Sequence, residues 1–195
     1  IDAGRDAIFD NTIDGGQDLE VTAGGDVTFD NLVGAGASLR SLTVDAVGAV
    51  RTESVSANRS IRLVGGSVAT GALSTGQDVV VHARTGDADV LSANAEDDIF
   101  VTAATGDAIL RSAVLAADST GLDDDQSAGA GLGFTDSLLT RQVVVRSQGN
   151  GVAQLGADTA AGIGAGNVLD TSAVALPDTG ALVQVRSTGG EARAN

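Results

Sequence analysis

Apolar and polar residues alternate along the chain in short segments, and glycine-rich corners separate these segments. In the segment 18–23, the apolar Leu19 and Val21 alternate with the polar Glu20 and Thr22. An alternation with a period of two residues is typical of a β-strand that has one face in a core. Glycines and β-branched residues interrupt every stretch that has the periodicity of a helix. The pattern therefore predicts an all-β chain.

The alternating segments recur about every 20 residues, a period that is typical of solenoid repeats. The segment 4–13 matches the segment 24–33 at glycine, aspartate, phenylalanine and asparagine positions. Val145 and Val185 are each followed by Arg-Ser, and we interpret the spacing between them as two periods. Further strand-like segments are expected to begin at residues 18, 38, 60, 78 and 98.

Two short strands per repeat bury their apolar faces only when successive coils stack, with equivalent strands paired in parallel about 4.8 Å apart. We therefore predict a right-handed parallel β-helix, or β-solenoid, with about 20 residues per coil. It is expected to form a single rod over residues 1–195. The right hand is expected because strand–crossover–strand connections are nearly always right-handed.

The repeat predicts columns of equivalent side chains along the rod. The inward column is expected to be a structural ladder of small aliphatic residues, namely Val21, Leu63, Val81, Val101 and Val145. The outward column mixes charged and apolar residues, namely Glu20, Arg40, Arg62, Val80 and Phe100. Such a mixed column argues against the regular surface of an ice-binding solenoid.

Two Asp-Asn pairs lie one period apart at one corner of the predicted coil. Asn11 and Asn31 follow Asp10 and Asp30. Polar side chains that repeat along a stack can form hydrogen bonds from one layer to the next. We therefore interpret Asn11 and Asn31 as a structural ladder, in preference to a catalytic pair of carboxylates.

The periodicity fails over residues 113–140, which we predict to be an irregular insertion within the rod. This segment is polar, rich in glycine and contains Asp118, Asp123, Asp124 and Asp125. Clustered carboxylates are the ligands that Ca²⁺ prefers, so these four residues are the candidate calcium site. The alternative is a solvated acidic loop, and no other cofactor is predicted.

Composition narrows the classes of function. The net charge of −15 argues against nucleic acid and anionic membrane surfaces as partners. Membrane insertion is not expected, because no apolar run approaches the roughly 18–20 residues of a transmembrane helix. The absence of Cys excludes thiol chemistry and Cys-ligated metals. His82 is the only histidine and is predicted to be an outward-facing surface residue, so neither a transition-metal site nor a Ser-His-Asp triad is expected.

The repeat motifs resemble the shaft repeats of filamentous-haemagglutinin-type adhesins, which bacteria export by two-partner secretion. The resemblance is carried by Gly-Gln-Asp-Leu-Glu-Val-Thr-Ala at 16–23, Ala-Gly-Gly-Asp-Val-Thr-Phe at 23–29 and Thr-Gly-Gln-Asp-Val-Val-Val at 75–81. It covers most of residues 1–112 and, more loosely, 141–195. It implies a secreted filament on the bacterial cell surface, and no functional residue carries over.

These observations predict a non-catalytic, structural or adhesive shaft segment of a large secreted bacterial surface adhesin or extracellular filament. Without an initiator Met or a signal peptide, the chain is expected to be part of a longer protein or a processed product. The expected partners are flanking repeats of the same chain, further copies bound end to end or laterally, and a cell-surface or matrix receptor. The alternatives are a polysaccharide lyase or hydrolase and a calcium-binding solenoid. The enzyme is disfavoured because the chain has no Trp or Tyr to stack on sugar rings.

Overall fold

The predicted all-β solenoid is confirmed by a computed structural model of the chain. The structure describes residues 1–115, 142–156, 174–175 and 182–194. Within these ranges the regular elements are all β-strands, with no helix among them. Every pair of neighbouring strands is parallel, and the strands stack about one repeat apart to form two sheets.

The strands are numbered β1 to β19 in chain order. Eight of the described strands form sheet 1 in this order along the rod: β1 (Asp2–Ala3), β3 (Asp18–Ala23), β5 (Ser41–Ala46), β8 (Ile61–Gly65), β10 (Val79–Ala83), β12 (Ile99–Ala103), β15 (Gln142–Ser147) and β18 (Leu182–Ser187).

Sheet 2 contains eleven of the described strands. Its continuous path is β2 (Ala7–Phe9), β4 (Val27–Phe29), β6 (Ala49–Thr52), β9 (Ser67–Ser74), β11 (Ala88–Ala95), β13 (Ala108–Leu110), β16 (Ala153–Leu155) and β19 (Ala192–Ala194). Three short strands lie beside this path: β7 (Val55–Ser56), β14 (Ala113–Leu115) and β17 (Val174–Ala175).

The core lies between the two sheets and consists of columns of small aliphatic side chains. One column contains the predicted ladder residues in continuous register, namely Val21, Val44, Leu63, Val81, Val101, Val145 and Val185. The first six of these residues are fully buried. Full burial of a Val or Leu side chain stabilises a fold by roughly 1.5–3 kcal/mol, so this column is a major source of stability.

The predicted strand start at residue 38 was wrong. Leu19 pairs with Leu42, so the strand of that coil begins at Ser41 and the step from the preceding coil is longer than the repeat. Leu39, which suggested the earlier start, is buried at a corner, where it forms an isolated bridge with Ala57. The next two steps, from Leu42 to Ile61 and from Ile61 to Val79, are shorter than the repeat. Corner length therefore varies while strand register is kept.

The interpretation of the spacing from Val145 to Val185 as two periods was also wrong, because these two residues pair directly. β12 similarly pairs directly with β15, although the step from Ile99 to Val143 is more than twice the repeat. The predicted insertion at 113–140 falls between these two strands. Its first residues, Ala113–Leu115, form β14 instead, and the residues from 116 to 140 lie outside the described ranges.

An aspartate, in most cases the second residue of a Gly-Asp pair, closes the corner that precedes four strands of sheet 2, namely β2, β4, β11 and β13. The aspartate Oδ1 atom accepts a hydrogen bond from the main-chain N–H at the equivalent position of the next coil. The pairs are Asp6 to Asp26 at 2.9 Å, Asp26 to Ala49 at 2.7 Å, Asp87 to Asp107 at 2.8 Å and Asp107 to Val152 at 2.7 Å. The glycine makes room for the aspartate of the neighbouring coil, because a Cβ at Gly106 would lie 2.4 Å from Asp87 Oδ1.

Removal of one of these carboxylates should weaken the rod. We expect Asp107→Ala to lower the free energy of unfolding by about 1–3 kcal/mol, because the part-buried N–H of Val152 loses its acceptor. Asp107→Asn keeps an oxygen at this position and should lose less. Urea denaturation of both variants measures the difference. Asp10→Ala, at an exposed position, is the control. Equal losses for Asp107→Ala and Asp10→Ala would contradict this role of the motif.

Candidate functional site

At the corner where a polar ladder is predicted, a hydrogen bond from a side chain to the backbone joins two coils. Asn31 Nδ2 donates a hydrogen bond to the main-chain carbonyl of Asp10, 2.8 Å away in the preceding coil. Asn11 is exposed at the equivalent position. Asn31 therefore connects two coils through its side chain.

The candidate calcium ligands Asp118, Asp123, Asp124 and Asp125 lie outside the described residues. Within the described ranges, no group of three or more His, Cys, Asp or Glu side chains is arranged to hold a metal ion. Buried carboxylates in this part of the chain connect coils. Asp98 Oδ1 accepts from the N–H of Gln142 at 2.6 Å, and Asp78 Oδ1 accepts from the N–H of Asp98 at 3.2 Å.

The outward column of sheet 1 differs from the prediction at two positions. Thr43, not Arg40, pairs with both Glu20 and Arg62. Phe100 belongs to this column but is fully buried, and it packs with Val80 and Val144 in a cluster separate from the main core. This part of the outward face is therefore apolar and covered.

Arg40 lies at the corner before β5 and forms an ion pair with Asp18. Its Nε donates to Asp18 Oδ1 at 2.7 Å, and the Ser41 hydroxyl donates to the same oxygen at 2.5 Å. The hydrogen bond from Arg40 is the main reason that the pKa of Asp18 lies well below its usual range, and the hydrogen bond from Ser41 lowers the pKa further. Both side chains are about half exposed, so the pair fixes a corner and adds little stability.

His82 faces outward, as predicted, but it is half-buried and hydrogen-bonded. Its Nδ1 lies 2.7 Å from the Thr102 hydroxyl on the next coil. Burial lowers the pKa of His82, and the nearby charges of Arg84 and Arg62 lower it further. The histidine therefore favours its neutral form in the folded rod.

This lowered pKa predicts a pH dependence of stability. The unfolded chain, with a histidine pKa of about 6.5, takes up a proton before the folded rod does. The contribution of His82 is complete above pH 6.5 and is lost as the pH falls below that value. His82→Gln should therefore lose less stability than the unmodified chain between about pH 7.5 and 5.5 in urea denaturation. Identical losses for the two chains would contradict the assignment.

A groove on the outside of sheet 2 is a concave feature of the described surface that sequence reasoning missed. It has a volume of about 420 Å³ and crosses the coils of β4, β6, β9 and β11. Its lining residues are Thr28, Phe29, Asp30, Arg51, Thr52, Glu53, Ala69, Thr70, Gly71, Asp89 and Arg111. Small-molecule sites usually have volumes of roughly 300–1,000 Å³, so the groove is large enough for a ligand.

The groove exists because one coil carries small residues where its neighbours carry long ones. Ala69 in β9 pairs with Arg51 on one side and with Asp89 on the other. Gly71 lies beside Glu53, whose carbonyl oxygen accepts from the Gly71 N–H at 2.7 Å. The side chains of the flanking coils therefore form the two walls, and Ala69 and Gly71 form the floor.

The walls carry both signs of charge. Arg111 forms a two-point ion pair with Asp89, in which Nη2 donates to Oδ2 at 2.9 Å. Arg51 is exposed and lies 3.8 Å from an oxygen of Asp26. Among the described residues, Glu53 is exposed and makes no ion pair. The groove therefore places guanidinium groups beside carboxylates, and the carboxylate of Glu53 is available as an acceptor.

Thr52, next to the groove, carries a buried polar atom. It lies on the core side of β6 with only 9% exposure, and it also lines the groove. Its hydroxyl oxygen is buried and has no hydrogen-bond partner among the described residues. A buried hydroxyl without a partner costs about 1–3 kcal/mol.

Comparison with known proteins identifies no relative. No protein-family model, curated protein or solved structure matches the chain. The described residues also include no helix with the length and hydrophobicity needed to cross a membrane.

Proposed function

We propose that this chain is a non-catalytic rod segment of a large secreted bacterial surface adhesin or extracellular filament. The main observation in support is that a column of inward side chains continues from coil to coil. From Val21 to Val145, equivalent inward residues are fully buried and in register. The Gly-Asp corners, the Asn31 side chain and the Asp18–Arg40 pair also connect one coil to the next. Most specific contacts of the repeat therefore serve stacking.

A stack of this kind suits a load-bearing shaft. Parallel strands in register place a row of backbone hydrogen bonds between each pair of coils, and these bonds resist separation together. The net charge of −15 keeps neighbouring rods apart in solution. The outward positions are then available to contact a cell-surface or matrix receptor. Flanking repeats or further copies would extend the rod from its ends.

Two measurements on the purified chain test the proposal. Electron microscopy should show rods of uniform width, and beads coated with the chain should adhere to cells or extracellular matrix more strongly than uncoated beads. Val47→Asp changes a position that is 71% exposed and should leave the rod folded, so beads coated with this variant are the control for a surface substitution. Compact particles, or no adhesion by coated beads, would contradict the proposal.

A polysaccharide-active enzyme is the second candidate, and the groove on sheet 2 favours it. Asp30, Glu53 and Asp89 place three carboxylates along one surface, and glycoside hydrolysis requires two. Incubation with neutral and acidic polysaccharides should release reducing ends or unsaturated products if the chain is an enzyme. Loss of that turnover in Glu53→Gln would assign the activity to the groove and would displace the non-catalytic proposal.

A further inference from the structure

We infer that the groove on sheet 2 binds a neutral oligosaccharide of hexopyranose units. This inference rests on the proposed adhesive function and names the chemistry of the ligand. The groove is a described surface where a lack of side-chain volume and a fixed ion pair coincide. The shape, the charge and the hydrogen-bonding groups each restrict the ligand.

The shape favours a ligand about one sugar ring wide. β6 and β11 are separated by one strand, so their backbones lie about 10 Å apart across the floor. The groove is open along the surface and is not a closed cavity, and one of its walls consists of the exposed side chains of Arg51 and Glu53. An extended chain of rings can therefore enter without a change in the backbone of the rod.

The charge disfavours ionic ligands. Three carboxylates, from Asp30, Glu53 and Asp89, accompany two guanidinium groups, so the groove has no positive excess to hold a polyanion. The net charge of −15 would also repel an anionic polymer. The two arginines disfavour a simple cation, and the charged walls disfavour an apolar molecule. A neutral molecule with many hydroxyl groups fits this balance.

The hydrogen-bonding groups suit vicinal hydroxyls. A carboxylate accepts from two neighbouring O–H groups, and a guanidinium donates to hydroxyl oxygens. Two contacts from Arg111 hold the Asp89 carboxylate, so its outer lone pairs are positioned before a ligand arrives, and the exposed Arg51 provides a guanidinium donor. Glu53 provides acceptors on the opposite wall that no described ion pair occupies.

Titration of the full chain with three probes tests the inference. The neutral probes are cellohexaose and mannohexaose, and the anionic probe is a polygalacturonate hexamer. NMR of the labelled chain reports which amides respond, and calorimetry reports the affinity. We expect a neutral hexaose to shift amide resonances around Ala69 and Gly71, with no shift from the anionic hexamer.

Matched variants locate the site. Ala69→Tyr fills the groove from an exposed position and should abolish binding, whereas Thr22→Tyr, at an exposed position on sheet 1, should bind normally. Glu53→Gln should weaken binding about tenfold, because a hydroxyl loses a charged acceptor. Glu20→Gln makes the same change at an exposed position outside the groove and should leave the affinity unchanged.

The outcomes separate this inference from the proposed function. No response to either neutral hexaose, unchanged binding by Ala69→Tyr, or binding of the anionic hexamer alone would overturn the ligand assignment. In those cases, adhesion by coated beads would still support the rod as an adhesin. Cleavage of a bound hexaose would uphold the groove as a sugar site while contradicting the non-catalytic function.

Discussion

Val101→Asp should prevent the rod from folding. Val101 is fully buried and pairs with Val81 on one side and Val145 on the other. An aspartate there places a charge in an aliphatic column that offers no partner. Burial of an unpaired polar or charged group, together with the lost valine packing, costs upward of about 4–5 kcal/mol. Because domains are stable by only about 5–15 kcal/mol, we expect loss of the β-sheet signal in circular dichroism.

The matched control is Val47→Asp, since Val47 is 71% exposed. The same chemical change at that position should alter the free energy of unfolding by less than about 0.5 kcal/mol. Leu63→Ala gives a graded loss for a variant that still folds, about 2–5 kcal/mol in urea denaturation. If Val101→Asp were as stable as Val47→Asp, the inward column could not be the core of the solenoid.

The inward ladder could be predicted because burial and strand period leave few alternatives. Val21, Val81 and Val101 lie at similar places in alternating segments, and one register puts all of them inside. The coil that contains Leu42 was misaligned because two apolar residues, Leu39 and Leu42, compete for the strand position. The alternation of Leu42 with Val44 indicates the later start of the strand, at Ser41. The assumption of a fixed step between coils hides this pattern.

Other features depend on contacts between coils and leave no clear local pattern. Arg40 was predicted to lie in the wrong column, because its partner Asp18 is a full coil away and the contact leaves no local pattern. Burial of Phe100 on the outward face cannot be inferred from alternation, because its neighbours in sequence look like those of an exposed strand residue.

The groove on sheet 2 was not predicted because it forms where one coil has very small side chains. Ala69 and Gly71 do not stand out within a chain rich in alanine and glycine. Their effect appears only once register places them between Arg51 and Asp89. The signal that could have revealed the groove is a comparison of outward residues across three successive coils, after correct alignment of the strands.

Gly34→Ala should be strongly destabilising, for two reasons that the corner combines. Gly34 has a φ of +75°, a conformation that strains a residue with a side chain. A Cβ there would also lie 2.1 Å from the carbonyl oxygen of Ser56, which accepts a hydrogen bond from the N–H of Leu39. Relief of the clash would move that carbonyl and weaken the bond. We expect a loss of about 3–5 kcal/mol in urea denaturation.

Substitutions of three other glycines measure the effect of backbone strain separately from the effect of steric clash. Gly15 has a φ of +133° with no atom within 4 Å of an added Cβ, whereas a Cβ at Gly106 would lie 2.4 Å from the carbonyl oxygen of Gly86. Gly16 has neither restriction, so Gly16→Ala should be neutral or stabilising by about 0.4–1 kcal/mol, because alanine restricts the unfolded chain. Gly15→Ala and Gly106→Ala should each fall between Gly16→Ala and Gly34→Ala. A loss in Gly34→Ala no greater than in Gly15→Ala would show that the coils have room to separate at this corner, against the close stacking on which the rod depends.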